Sequence, residues 1–513
     1  MSRIDRNRAR KERRASRSGA GISQIGFGPL NNRYPPINPL SEAQVEEIHN
    51  ASLCLLRDSG IEVMSASVRA QFRREGASVD DDTGIVKVDP EMIIELIARA
   101  PREIRLTPRN SDHTVTLGGS QVNFGAVSGP PNVHDCVQGR RAGNFADYKK
   151  LISLGQAFNV ISVFGNQSVA TTDLPVPTRH LDCYEANLTL TDKIFSAIPI
   201  GKERVVDAAH MVAIARGISL DELHRSPGLI GNININSPRK LDEAMSDGAL
   251  ALAELGQAVI VTPFTLLGAM TPVTMAAALV QQNAEALLGL SMIQMAFPGS
   301  PVVYGGFTSN VDMRSGAPTF GTPENAKANL AGGQMARRYG LPYRTSACNA
   351  SNLVDVQSTY ETQMALWGAV MGHGNLVYHA AGWLEGGLVA SFEKFVIDVE
   401  VIQHLSEMLK PIDTSVDELA VDAISGVEPG GHFFGAEHTM ERYESAFYTP
   451  FLSDWQNNEN WQAAGAKDTT RRATEIWQSV LENFEPPKLD DDRRDALSEY
   501  VQRRKREIGT KEV

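Results

Sequence analysis

From about residue 120 onward the chain alternates between short apolar or β-branched runs and stretches long enough for a helix. The runs are QVNFGAVSG at 121–129, NVISVFGNQS at 159–168, KIFSAIPI at 193–200 and GLIGNININSP at 228–238. They continue as AVIVTPFTLL at 258–267, PVVYGGFTSN at 301–310, PYRTSACNAS at 342–351 and NLVYHAAGWL at 375–384. Between them, 241–255, 273–296, 323–339 and 355–372 carry helical patterns. Strands apolar on both faces belong to a parallel sheet covered by helices. Eight repeats favour a closed (β/α)8 barrel over a doubly wound open sheet, which stays the alternative.

Ahead of this series, Ser41 and Glu42 open a helix running to Gly60, and further helices are expected at 65–76 and at 89–100, the last with Pro90 in its first turn. Residues 36–115 therefore read as a helical cap, 116–415 as the barrel and 416–513 as a helical appendage with a helix near 467–483. Residues 1–35 read as a basic tail and a Pro-rich lead-in, with eight Lys or Arg against two acids in the first 18 positions. Such a charge density predicts a solvated, disordered segment.

Composition narrows the function classes. Hydrophobic residues make up 42% and charged residues 21% of the 513, as in ordinary globular proteins. A net charge of −12 argues against nucleic-acid binding by the body of the chain. The longest apolar stretch, at 258–270, is interrupted by Pro, Thr and Gly, and no signal-peptide core follows the basic tail. A cytoplasmic protein without membrane contact is expected. Cys54, Cys136, Cys183 and Cys348 form no CxxC pair, which fits neither a disulfide framework nor a zinc site.

A barrel places its active site at the C-terminal ends of its strands. Here those ends read SGPP, GNQS, NINSP, FTLLG, GGFTSN, CNAS and AAGWLEGG: small residues, amides and aromatics, nearly free of Lys, Arg and paired carboxylates. No GxGxxG follows the first strand and no Walker loop occurs, so nucleotide binding has no support. His432 and His438, six apart on a Gly-rich loop, suit hydrogen bonding better than metal ligation, and no metal is expected. Aromatics near strand ends, Phe124, Phe307, Tyr378, Trp383 and Phe392, suit a compact cationic substrate where they face the mouth, although an aromatic in a barrel strand is more often core packing.

Several long segments resemble the trimethylamine methyltransferase family. They are FGAVSGPPNVHDCVQGRRAGNFADYKKLISLGQAFNVISV, DMRSGAPTFGTPENAKANLAGGQMARRYGLPYR, DVQSTYETQMALWGAVMGHGNLVYHAAGWLEGGLVASFEKFVIDVEVI and GVEPGGHFFGAEHTMERY, a likeness running from about residue 40 to about 480. The resemblance implies a (β/α)8 barrel that passes a methyl group from an amine to the cobalt of a corrinoid carried by a separate small protein. This chain itself would bind no cofactor tightly. Some members carry pyrrolysine near the end of the seventh strand, where this sequence has Cys348 and Asn349 in RTSACNASNLVDVQ.

That departure has chemical consequences. A tertiary amine is a poor methyl donor until activated, whereas a quaternary ammonium already leaves as a neutral amine and needs only positioning in a dry site. The resemblance without pyrrolysine therefore points to glycine betaine or a relative. Phe124, Phe307 and Tyr378 would wall the methylammonium head, and His379 and Asn349 would hydrogen-bond the rest. Glu385 would balance charge, and Tyr360 in the following helix would contribute a further contact. No acid or base is required.

The alternatives are trimethylamine as donor, a folate as acceptor, a quaternary-amine sensor or binding protein on the same fold, and a lyase or aldolase. The last would need a strand-end Lys or a carboxylate–metal cluster. A homo-oligomer is expected.

Overall fold

The eight apolar runs become eight parallel strands: β1 (Gln121–Ala126), β2 (Ile161–Phe164), β3 (Ile194–Ala197), β4 (Ile230–Ile235), β5 (Ala258–Leu267), β6 (Val302–Gly305), β7 (Tyr343–Ser346) and β8 (Leu376–Ala381). Each pairs in parallel with the next, and β8 returns to β1, so the sheet closes. The outer layer is α1 (Phe145–Ala157), α2 (Arg179–Leu190), α3 (Lys202–Arg216), α4 (Glu243–Glu254), α5 (Met275–Ala296), α6 (Pro323–Tyr339), α7 (Val356–Met371) and α8 (Phe392–Met408). The computed structural model describes residues 22–509, so residues 1–21 of the expected tail lie outside the described residues, while in 22–35 Leu30–Asn31 pairs with β1 and Gln24 and Asn32 are buried.

The barrel interior is layered. Its floor is a hairpin, Ile104–Leu106 against Val115–Leu117, whose apolar side chains pack with Val163, Ile194, Ile230, Ile260, Val303 and Leu376 from the strands. This apolar plug fills the N-terminal end of the barrel. Above the floor the interior turns polar, with Ser196, Thr262, Arg344 and Ser346 all buried.

Outside the barrel the three expected N-terminal helices are present at Glu42–Asp58, Ala66–Arg74 and Pro90–Ile97. Alongside them is a small sheet that the pattern did not show, built from Ile61–Val63, Ser78–Val79, Ile85–Lys87 and Lys240–Leu241. Strands of two or three residues are too short for a period of two to register. At the other end, helix Thr469–Glu482 packs on α8, with Trp477 and Phe392 ring centroids 5.0 Å apart. Helix Asp491–Gly509 is tied to α2 and α3, through Lys505–Asp182 at 2.5 Å and Arg504–Asp207 at 2.7 Å. Among the described residues no helix is long and apolar enough to cross a membrane.

Candidate active site

Strand alternation decides which side chains of β7 enter the barrel. Tyr343 and Thr345 face α6: the Tyr343 hydroxyl lies where a Cβ on Gly332 would sit, and Thr345 donates to Asn329 at 2.8 Å. Arg344 and Ser346 therefore point inward. Arg344 is 3% exposed, and burial pushes its guanidinium down to about 10. Its guanidinium carbon lies 5.3 Å from the Phe307 ring centroid and 5.2 Å from that of Tyr378. No carboxylate lies within ion-pair distance of it among the described residues.

A buried cation with no anion is costly, and its surroundings sharpen the question. Arg344 donates through Nη2 to His379 Nε2 at 3.3 Å, while its Nε and Nη1 have no hydrogen-bond partner. Burial and the adjacent guanidinium hold His379 neutral, far below its ordinary value. With Nε2 accepting, the proton of the neutral ring sits on Nδ1, which is buried without a partner. Trp383 Nε1 and Ser346 Oγ are likewise unpaired, and the Tyr378 hydroxyl leans toward Ser196 without making an ordinary hydrogen bond. The unpaired nitrogens of Arg344, His379 and Trp383 are all buried donors without an acceptor. A carboxylate or another compact acceptor anion would satisfy them.

The same cluster is rich in rings. Trp383 lies 4.3 Å from His379 between centroids, Phe307 lies 5.2 Å from Phe320, and Phe264 lies 4.9 Å from Phe307. Phe264 and Phe307 are partly exposed at the mouth. Tyr378 and His379 are consecutive yet both meet Arg344, which a regular strand would forbid. The break comes from a register shift in the β8–β1 pairing and from His379 itself, held at φ 58. A non-glycine residue in that region stores strain, and strain of this kind concentrates at functional sites.

Gly125 of β1 makes room for the Tyr378 ring. A Cβ there would lie 2.5 Å from Tyr378 Cδ1, so Gly125→Ala must displace the ring. Overpacking of this kind costs about 1–3 kcal/mol. A urea-unfolding midpoint lowered by that amount, with ligand binding weakened, is the expected result.

The structure gathers Phe307, Tyr378, His379 and Trp383 into one cluster around Arg344. The other sequence candidates lie elsewhere. Phe124 alternates with inward Gly125 and faces the helix layer, 2% exposed. Phe392 opens α8 against Trp477. Tyr360 is 57% exposed on α7 at the rim. Glu385 already pairs with Arg140 of the hairpin after β1 at 3.0 Å, so it is not free to balance a substrate charge. Asn349, fully buried, donates through Nδ2 to the backbone oxygen of Trp383 and to Thr362 Oγ1, which fixes the loop carrying Trp383. Cys348 is buried beside it with its thiol pushed well up by burial, which leaves it inert as a nucleophile. His432 sits on an exposed loop, while His438 lies in the short helix Glu437–Arg442 that follows it, its Nε2 3.2 Å from the Asp417 carbonyl oxygen.

Arg344 escaped the sequence reading because it lies inside its strand rather than in the tail beyond it. The available signal was its place two residues before Ser346 in an otherwise apolar or small-residue strand, YRTS.

The family described as trimethylamine methyltransferase (MTTB) matches residues 6–509. The chain is 35% identical over 481 residues to a glycine betaine methyltransferase of Desulfitobacterium hafniense (strain Y51), covering 94% of this chain and 100% of that protein. It is 27% identical to a trimethylamine methyltransferase MttB of Desulfitobacterium hafniense (strain DSM 10664 / DCB-2), over 96% of this chain and 97% of that one. A trimethylamine methyltransferase MttB of Methanosarcina barkeri (strain Fusaro / DSM 804) is 28% identical, over 91% and 94% respectively.

Proposed function

Given that the chain belongs to the trimethylamine methyltransferase family and is a methyltransferase, we propose that its donor is a small quaternary amine bearing a carboxylate, glycine betaine or a relative. The proposed acceptor is the Co(I) of a corrinoid carried by a separate protein. The observation that carries this reading is the set of unpaired donors around Arg344 beside an aromatic wall. Trimethylamine has no carboxylate to offer that set. The similarity to a protein named glycine betaine methyltransferase supports the same choice.

The chain's own residues bind and orient. Arg344 takes the carboxylate through the unpaired N–H groups on one edge of its guanidinium, and His379 Nδ1, Ser346 and Trp383 complete its hydrogen bonds. The trimethylammonium group then lies toward the partly exposed Phe264 and Phe307, whose faces attract the cation without hydrogen-bonding to it. Arg344 already covers part of Phe307 and Tyr378, so a substrate without a carboxylate would bring two cations together uncompensated. The floor hairpin and the packed interior exclude water, which favours in-line displacement of a neutral amine. No proton needs to move.

The corrinoid, when bound, supplies the nucleophile for the methyl group. The mouth suits a protein that would bring it: the segments after β2 and after β5 to β8 expose Val176, Val273, Met313, Leu353, Val356 and Leu388, each more than half exposed. Apolar side chains repeated around one opening mark a surface that a partner covers.

The test is a ligand panel followed by turnover. Glycine betaine at 100 times its dissociation constant is expected to stabilise the chain by about 2.7 kcal/mol, while choline, tetramethylammonium and trimethylamine at equal concentration give little. With a reduced corrinoid acceptor, glycine betaine is expected to yield dimethylglycine. Phe307→Leu keeps apolar volume and removes the ring face, so affinity should fall by roughly thirtyfold or less. Equal stabilisation by trimethylamine and glycine betaine would overturn the substrate assignment.

A further inference from the structure

Outside the barrel interior, the hairpin that follows β1 and the start of α8 bring together three side chains of different chemistry. His134 lies in the strand Asn132–Asp135 and Cys136 opens the turn that follows it. Glu393, on the first turn of α8, reaches them from 257 residues away. One ligand atom from each, a ring nitrogen, the thiol sulfur and a carboxylate oxygen, lie within 4.8 Å of one another.

The hydrogen bonding around Glu393 is lopsided. Its side chain is 0% exposed, and Oε1 alone accepts three donors: Cys136 N at 3.1 Å, Thr474 Oγ1 at 3.0 Å and Trp477 Nε1 at 2.8 Å. Oε2 is buried without a partner, and so is His134 Nδ1. No Lys or Arg pairs with this carboxylate among the described residues. A buried carboxylate with one oxygen saturated and the other bare, beside a bare ring nitrogen, leaves two ligand atoms that a single cation would satisfy together.

We propose that His134, Cys136 and Glu393 form a binding site for a divalent cation of the zinc class. A mixed N, S and O donor set selects such an ion over Mg2+ or Ca2+, which take oxygen. Binding deprotonates the Cys136 thiol, releasing its proton to solvent, and forms one bond each to sulfur, nitrogen and oxygen. Three protein ligands leave a fourth position for water on the exposed Cys136 side. A tetrahedral ion holds its ligand atoms roughly 3.5 Å apart, so the cluster closes by about 1 Å, which rotation of the exposed Cys136 side chain supplies. Thr474 and Trp477 already orient the carboxylate as outer-shell donors.

Such an ion would join three parts of the chain: the hairpin that carries Arg140, the start of α8 and helix Thr469–Glu482. Its role is to fasten the mouth. It lies outside the donor cluster around Arg344 and does not depend on the substrate reading above.

The experiment uses the full chain stripped with chelator and titrated with Co2+ as a spectroscopic probe, then with Zn2+ in competition. About one equivalent of Co2+ is expected to bind with a thiolate-to-metal charge-transfer band, and Zn2+ is expected to displace it and raise the melting temperature. Cys136→Ser, at an exposed position, is expected to remove the band and weaken binding beyond the roughly 10- to 100-fold that follows loss of an outer-shell partner. Thr474→Val is expected to fall within that smaller range. Less than about 0.1 equivalent bound by the parent, or a Cys136→Ser variant binding as the parent does, overturns the site.

Discussion

Replacing Arg344 by methionine is expected to cut kcat/KM for glycine betaine by roughly 30-fold to several thousand-fold, while leaving the ligand-free protein at least as stable as the parent. Truncating one partner of a buried, hydrogen-bonded charge pair costs about 2–5 kcal/mol of binding, which sets that range. The stability half follows from the free protein, where the guanidinium is buried without an anion. Methionine fills a similar volume without a charge to desolvate. Arg344→Lys keeps the charge but not the planar fork, so it should fall between parent and methionine. If Arg344→Met melts several degrees lower and binds glycine betaine as before, Arg344 is a structural residue and the carboxylate assignment fails.

The pH dependence gives an independent reading of the same residue. Burial lowers Arg344 from its ordinary value to about 10 in the folded chain. Between those values the unfolded chain holds more protons than the folded one, so this group's contribution to folding stability rises with pH. Carboxylate binding needs the charged form, so affinity for glycine betaine falls as pH rises through about 10. The two trends run in opposite directions. A binding curve followed by calorimetry between pH 8 and 11 distinguishes them, and Arg344→Met should show neither.

The second large effect concerns stability. Lys394 and Asp398 form a fully buried ion pair within α8, and Lys394 Nζ also donates to Thr362 Oγ1 at 2.9 Å. Asp398 accepts the N–H of Gly382 at 2.9 Å, which anchors the loop that presents Trp383. Lys394→Met leaves the carboxylate buried and unpaired, a change that costs about 3–5 kcal/mol. Urea unfolding at pH 8 should register that loss, and Lys394→Met/Asp398→Leu should recover most of it.

The sign with pH follows from Asp398, which burial raises from 3.8 to about 6. A raised folded value means that the folded chain binds the proton first, so this group's contribution to stability is largest below 3.8 and declines as pH rises through about 6. Losing Lys394 extends the decline upward in pH. The deficit of Lys394→Met should therefore shrink at pH 5 relative to pH 8, and an equal deficit at both would show that the pair is not the cause.

Much of the architecture was legible along the chain. Eight apolar runs, each followed by a helical stretch, specify a covered parallel sheet. Their number favours closure, and each strand of the closed barrel does lie within its run. The long segments resembling one family carried the activity, which the full-length matches support. These features are local or periodic, and a sequence records such features directly.

What the tertiary structure decided is which side chains meet. Phe124 and Phe307 look alike as strand aromatics, yet one faces the helices and the other the mouth, because a period of two cannot be phased without knowing which face is inside. Tyr378 and His379 share the interior only because the strand breaks its alternation at His379. Glu385 is neutralised by Arg140, some 245 residues away. Arg344, passed over as one charge in a small-residue run, became the centre of the site once burial removed water and no carboxylate arrived to replace it. A residue's chemistry is written in the sequence, but whether that chemistry is satisfied depends on neighbours that only folding brings within 4 Å.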